Sequence, residues 1–171
     1  MTAEGERALE LMGRAIRIAG YQNTKTASVG GTRKIFNNAI EIQKSSGYQG
    51  SDALQVRHEL SDGVDFDCIG NVLNSERTKG HLAFQGFVVN HQKNFAKGSM
   101  VNGGSLMCQS LDRQGRLQTT TLMNGVKSLH IEELASPTSL SQRIFKIKLV
   151  MTDGALLQRS FERTFSTRNL L

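Results

Sequence analysis

Apolar residues change their spacing once along this chain. Leu9, Met12, Ile16 and Ala19 recur at helical intervals and form one stripe. Glu4 and Glu6 stand near the start of that stretch, where negative charge suits the helix dipole. Gly20 follows the last periodic residue, the place of a left-handed stop. The spacing predicts a helix over 3–20. From 35 to 168 the pattern becomes short alternating runs broken by turn residues, which predicts a β-rich region. One helix cannot bury its own stripe, so Leu9, Met12, Ile16 and Ala19 are expected to pack on those strands. The fold class is therefore α+β, one N-terminal amphipathic helix on an antiparallel sheet. Such a layout is common in filament subunits and uncommon in enzymes.

The runs can be placed in order. Residues 39–43 alternate and read as a strand, and 45–52 is a turn cluster. In 53–60, Leu54 and Val56 point to the core with His58 on their face, and Gln55, Arg57 and Glu59 point to water. Residues 64–68 alternate again, placing Val64, Phe66 and Cys68 inward. The longest candidate is 81–90, where Gly86 is expected to mark a bulge. Residues 105–109 and 116–122 form a hairpin across 112–115, and Asn124-Gly125 signals a turn before a strand over 126–133. Residues 144–150 and 156–165 form a last hairpin across 152–154. Polar stretches at 22–33, 71–80 and 91–104 read as loops. No repeat, low-complexity tract or linker divides the chain, so 1–171 reads as a single domain.

Composition narrows the class. The chain has 171 residues, 38% of them hydrophobic, with 17 glycines and one proline, which suits a loop-rich β protein. No run approaches the roughly 18 apolar residues of a membrane helix. The chain starts directly in a polar helix, which fits either a natural cytosolic start or the soluble part of a longer protein with Met1 as an added start. A net charge of +6 favours nucleic acid, anionic lipid or acidic partners, although the Lys and Arg residues are scattered rather than blocked. Cys68 and Cys108 would pair in an oxidising compartment and remain buried thiols in a reducing one.

Few residues suggest chemistry. The four histidines, His58, His81, His91 and His130, lie on separate elements without the spacing of a helical zinc pair. There is no Gly-x-Ser-x-Gly elbow. A Cys108–His130 nucleophile pair can be drawn, but a half-cystine beside an unrelated histidine is the simpler reading. Gly30-Gly-Thr-Arg-Lys34 lacks the spacing and the preceding strand of a phosphate loop. Asp65 and Asp67 share a strand face and are expected to face solvent. Arg33, Lys34, Lys93 and Lys97, with Arg143, lie in or beside loops near Phe36 and Phe95, and are the candidates for a nucleic-acid contact. No catalytic residue, metal site or cofactor follows from this pattern.

Several stretches resemble one family in order along the chain. Arg14-Ala-Ile-Arg-Ile-Ala-Gly-Tyr21 resembles the end of the long N-terminal helix of PilW-type minor pilins of type IV pili. Gly50-Ser-Asp-Ala-Leu-Gln-Val-Arg57 is similar to their Gly-Ser-Asp strand. Ser105-Leu-Met-Cys-Gln109 and Leu122-Met-Asn-Gly-Val-Lys-Ser-Leu129 resemble their next pair, and Arg163-Thr-Phe-Ser-Thr-Arg-Asn-Leu170 their closing strand. The leader, the cleavage site before an aromatic residue and the apolar helix with its acidic residue have no counterpart here. The resemblance implies that such a membrane helix precedes this segment. It also implies a pilin-like fold and oxidation of Cys68 with Cys108 in the periplasm. The implied role is structural and non-catalytic, in priming pilus assembly and at the tip, with bearing on adhesion and twitching motility. The implied partners are other minor pilins and the major pilin, with the inner membrane before assembly and the extracellular pilus afterwards. Related alternatives are a DNA-binding competence pilin and a J-type pseudopilin of type II secretion. The calcium-binding acidic loops of the latter have no dense acidic counterpart in this basic chain.

Overall fold

The apolar stripe lies on a sheet. The computed structural model describes residues 1–25, 38–92, 103–136 and 142–169. Helix α1 (Thr2–Ile18) comes first. Seven strands follow: β1 (Ile40–Gln43), β2 (Ala53–His58), β3 (Ala83–His91), β4 (Gly104–Leu111), β5 (Leu117–Leu134), β6 (Ile144–Thr152) and β7 (Gln158–Ser166). They form one antiparallel meander in chain order. The helix stops two residues before the expected end, because Ala19 leaves helical backbone at ψ 136°. Gly20 takes the left-handed conformation, φ 70°, and its amide donates to the Arg57 carbonyl at 3.0 Å.

Leu9, Met12, Ile16 and Ala19 are fully buried, together with Ala8 and Ala15. Facing them are Leu54 and Val56 of β2, Phe87 and Val89 of β3, Leu106 of β4, Leu129 and Ile131 of β5, and Phe145, Ile147, Leu149 and Met151 of β6. Each such residue contributes roughly 1.5–3 kcal/mol by leaving water. The helix runs parallel to β7. Gly5 meets the Phe161 ring, Gly13 meets the Phe165 ring, and Asn169 Nδ2 donates to the Ala19 carbonyl at 3.0 Å. Eight helical residues rise about 12 Å and four strand residues about 13 Å, so the two contacts stay in step.

Cys68 and Cys108 form a disulfide with Cα atoms 5.9 Å apart. It ties the long β2–β3 connection to β4. That connection corrects one expectation. Residues 64–68 are not a strand, since only a single Phe66–Val72 bridge forms. Val64 and Phe66 are exposed, at 67% and 57%, while Cys68 is buried. Asp65 and Asp67, expected to be idle in solvent, organise the loop instead. Asp67 Oδ1 accepts the amides of Ile69, Gly70 and Asn71 at 2.9–3.0 Å. Asp65 accepts the Ser61 amide and hydroxyl, both at 2.7 Å. These short-range bonds compete with a strand ladder and win.

Two further expectations change. Gly86 marks no bulge, because the register with both neighbours passes through it unbroken. A Cβ there would fall 2.7 Å from Gln109 Oε1, so Gly86 makes room for that side chain. Asn124-Gly125 is not a reversal. Residues 117–134 form one strand of 18 residues, with Leu122 and Gly125 left unopposed by β4 as bulges. Gly125 sits at φ 77°, and Ser105 Oγ donates to Asn124 Oδ1 at 2.6 Å, which keeps Asn124 in the ladder.

Candidate functional site

Strand β5 serves two half-sheets. Leu117–Val126 pairs with β4, and Val126–Leu134 pairs with β6. Among the described residues each half therefore has one edge without a strand neighbour, and the molecule treats the two edges differently.

The C-terminal half is closed by the turn before β2. Asp52 N donates to the Leu129 carbonyl at 2.7 Å, and Ser51 Oγ accepts the Leu129 amide at 3.1 Å. Asp52 Oδ2 accepts the Ile131 amide at 2.8 Å, and Lys44 Nζ bonds both that carboxylate and the Ile131 carbonyl. Two residues thus imitate a missing strand. Burial alone would raise the Asp52 pKa. The Ile131 and Ser45 amides, with the Lys44 ammonium, outweigh it and hold the carboxyl below its ordinary value.

The N-terminal half is open. From Leu117 to Asn124 no described residue pairs on the side away from β4. Thr119, Thr120 and Thr121 are exposed, as is Leu117 at 57%. Leu117 also walls a groove of about 340 Å³ on the sheet's outer face, with Leu82, Phe84 and Leu111. Arg57 and Lys79 line the same groove. The Arg57 guanidinium lies over the Phe84 ring, 5.4 Å from its centroid, and donates to the Asn38 carbonyl at 3.2 Å. Lys79 is exposed and has no acidic partner among the described residues.

A second hollow, on the outer face beside β5 and β6, is lined by Lys44, Lys146 and Lys148 against Asp52, Glu132 and Glu162. Its charges balance. Lys146 pairs with Glu132 at 2.9 Å, which lowers the pKa of Glu132 and raises that of Lys146.

The sequence-derived candidates fall in separate places. Arg33, Lys34, Lys93 and Lys97, with Phe36 and Phe95, lie outside the described residues. Arg143 is a structural cation: its guanidinium forks onto Glu133 at 2.7 and 2.9 Å and lies over the Phe145 ring. Cys108 is a half-cystine, so it is no thiol nucleophile. His58 is fully buried, with Nδ1–H on the Glu59 carbonyl at 2.8 Å and Nε2 3.3 Å from the Gln85 amide nitrogen. Burial pushes its pKa down, against the Glu59 carbonyl and the Asp65 charge. Among the described residues no three His, Cys, Asp or Glu side chains gather as a metal site.

The Ser51–Asp52 closure and the Gly–Phe seat of the helix were missed in the sequence. Signals for both exist in hindsight. A Gly-Ser-Asp turn ahead of an alternating run places short acceptors where a strand ends. Gly5 and Gly13 stand two helical turns apart, beside the apolar stripe. No protein-family model, curated protein or solved structure matches this chain.

Proposed function

We propose that this chain is a structural, non-catalytic filament subunit, a minor pilin that helps prime assembly of a type IV pilus and stands at or near its tip. The seat of α1 is the observation that carries the reading. The helix lies lengthwise on edge strand β7, with Gly5 under Phe161 and Gly13 under Phe165. Its C-terminal end is held from two sides, by Asn169 and by the Arg57 carbonyl. A helix fixed this way transmits force between a rod and the sheet that rides on it.

In this reading α1 continues an apolar helical segment that anchors the subunit in the inner membrane before assembly and packs in the filament core afterwards. The sheet's loops and edges then meet other minor pilins and the major pilin. The disulfide suits folding in the periplasm.

Deletion of the coding gene in the bacterium of origin tests the reading. Sheared surface filaments should fall sharply in the deletion strain and return on complementation. Antibodies to this chain should detect it in wild-type filaments at low copy. Normal filaments in the deletion strain, with no chain in the sheared fraction, would overturn the proposal.

A further inference from the structure

We propose that the open edge of β5 is a β-augmentation site for an extended segment of a partner protein bearing an apolar side chain and, two residues away on the same face, an acidic one. The inference does not rest on the pilin reading. It comes from a contrast among the edges of this sheet.

Natural sheets close their edges with charge, proline, shortness or a covering element. Edge strand β1 has only four residues and carries Glu41. Edge strand β7 carries Arg159, Glu162 and Arg163, and α1 lies along it. The C-terminal half of β5 is filled by Ser51 and Asp52. Among the described residues Leu117–Asn124 has none of these protections, and the bulge at Leu122 is its one irregularity. It carries no charge and no proline, and it runs on past the end of β6, whose Met151 is paired with Val126. Its outward N–H and C=O groups are ready to extend the ladder to an added strand.

The neighbouring groove gives the added strand its specificity. Leu117 is both the first residue of the open edge and a wall of the groove, across from Leu111 in the ladder. A strand laid along β5 places alternate side chains on the outer face, the first of them beside Leu117. Leu82, Phe84 and Leu111 offer that side chain an apolar bed, and Lys79, with no acidic partner among the described residues, favours a carboxylate two residues along on the same face. The net charge of +6 attracts an acidic segment and opposes pairing of two copies edge to edge.

The probe is a short synthetic peptide of alternating Thr and Val with a central Leu-Thr-Glu, which sets the Leu and Glu side chains on the same face of the added strand. Controls replace the Glu by Lys, or N-methylate alternate amides so that one peptide edge cannot donate. Fluorescence polarisation should show roughly tenfold weaker binding for each control, the scale of one or two lost hydrogen bonds or ion pairs. Lys79→Glu should weaken the parent peptide and strengthen the Lys peptide. Amide hydrogen exchange in residues 118–124 should slow on peptide addition. Equal binding of the N-methylated peptide, or unchanged exchange in 118–124 at saturation, overturns the site. Sedimentation of the free protein as a dimer with 118–124 already protected assigns the edge to a second copy and also overturns the proposal.

Discussion

Gly13 of the helix and Phe165 of the last strand occupy the same space in turn: a Cβ on Gly13 would fall inside contact distance of the Phe165 ring. The ring is also flanked by Arg17, whose guanidinium carbon lies 5.7 Å from its centroid. Glycine in mid-helix sacrifices about 1 kcal/mol of helix propensity relative to alanine. Here that loss lets the helix lie close on the strand. Gly13→Ala should therefore destabilise the fold despite the better propensity, by roughly 1–2 kcal/mol net of overpacking. At this chain length that lowers Tm by about 2–8 °C. Phe165→Leu should cost less in the Gly13→Ala background than alone, because the smaller side chain relieves the clash. A thermal-melt double-mutant cycle reads the coupling, and strict additivity would show that the two residues do not share the space.

The helix stripe was legible because Leu9, Met12, Ile16 and Ala19 obey one period against one surface. The β2, β3 and β6 runs were legible for the same reason. Residues 64–68 were not, because alternation alone cannot register a competing Asp67 carboxylate that gathers three amides within its own turn. Asn124-Gly125 misled in the other direction. A left-handed glycine serves a hairpin or a bulge equally well, and only the β4 partner decides between them. The open edge of β5 was invisible in sequence, since it arises from where β6 ends rather than from any residue in β5.

Asp52 holds the C-terminal half of β5 through the Ile131 and Ser45 amides. Asp52→Asn presents an amide donor where one of those N–H groups needs an acceptor. The loss should be roughly 2–4 kcal/mol, the scale of a broken buried polar network. Its pH signature has a definite sign. The native pKa lies below the ordinary value, so the unfolded state binds this proton first. The stabilisation is present above about pH 4 and is lost as pH falls through the native pKa. Urea melts across that acid window should show a shallower slope in Asp52→Asn than in wild type. Parallel slopes would mean that the carboxylate is not held as described.

The Cys68–Cys108 disulfide closes a separation of 40 residues. In the chain-entropy model such a loop contributes about 4 kcal/mol. Cys68→Ala with Cys108→Ala should lose roughly that amount in a denaturant titration. The same variant should raise amide exchange in 59–82 more than in β6 and β7, because the lost tether anchors that connection to β4. A uniform rise across the sheet would place the effect in global stability rather than in the loop.

His58 makes a separate acid-sensitive element. It ends β2 and is buried on the core face as a neutral ring, donating to the Glu59 carbonyl and facing the Gln85 amide of β3. Burial, the largest cause, sets its native pKa below the ordinary 6.5, while the Glu59 carbonyl and Asp65 oppose the shift. Between the native pKa and about pH 6.5 the unfolded chain binds a proton that the native state refuses. The His58 contribution is therefore complete above about pH 6.5 and is lost on acidification through that window, until the native ring itself protonates. This loss begins near pH 6.5, above the pH at which the Asp52 contribution begins to fall, so the two onsets can be separated in one titration. His58→Gln should flatten stability against pH over the upper window and leave the steeper fall below pH 4 in place. An unchanged upper slope in that variant would place the proton uptake on another group.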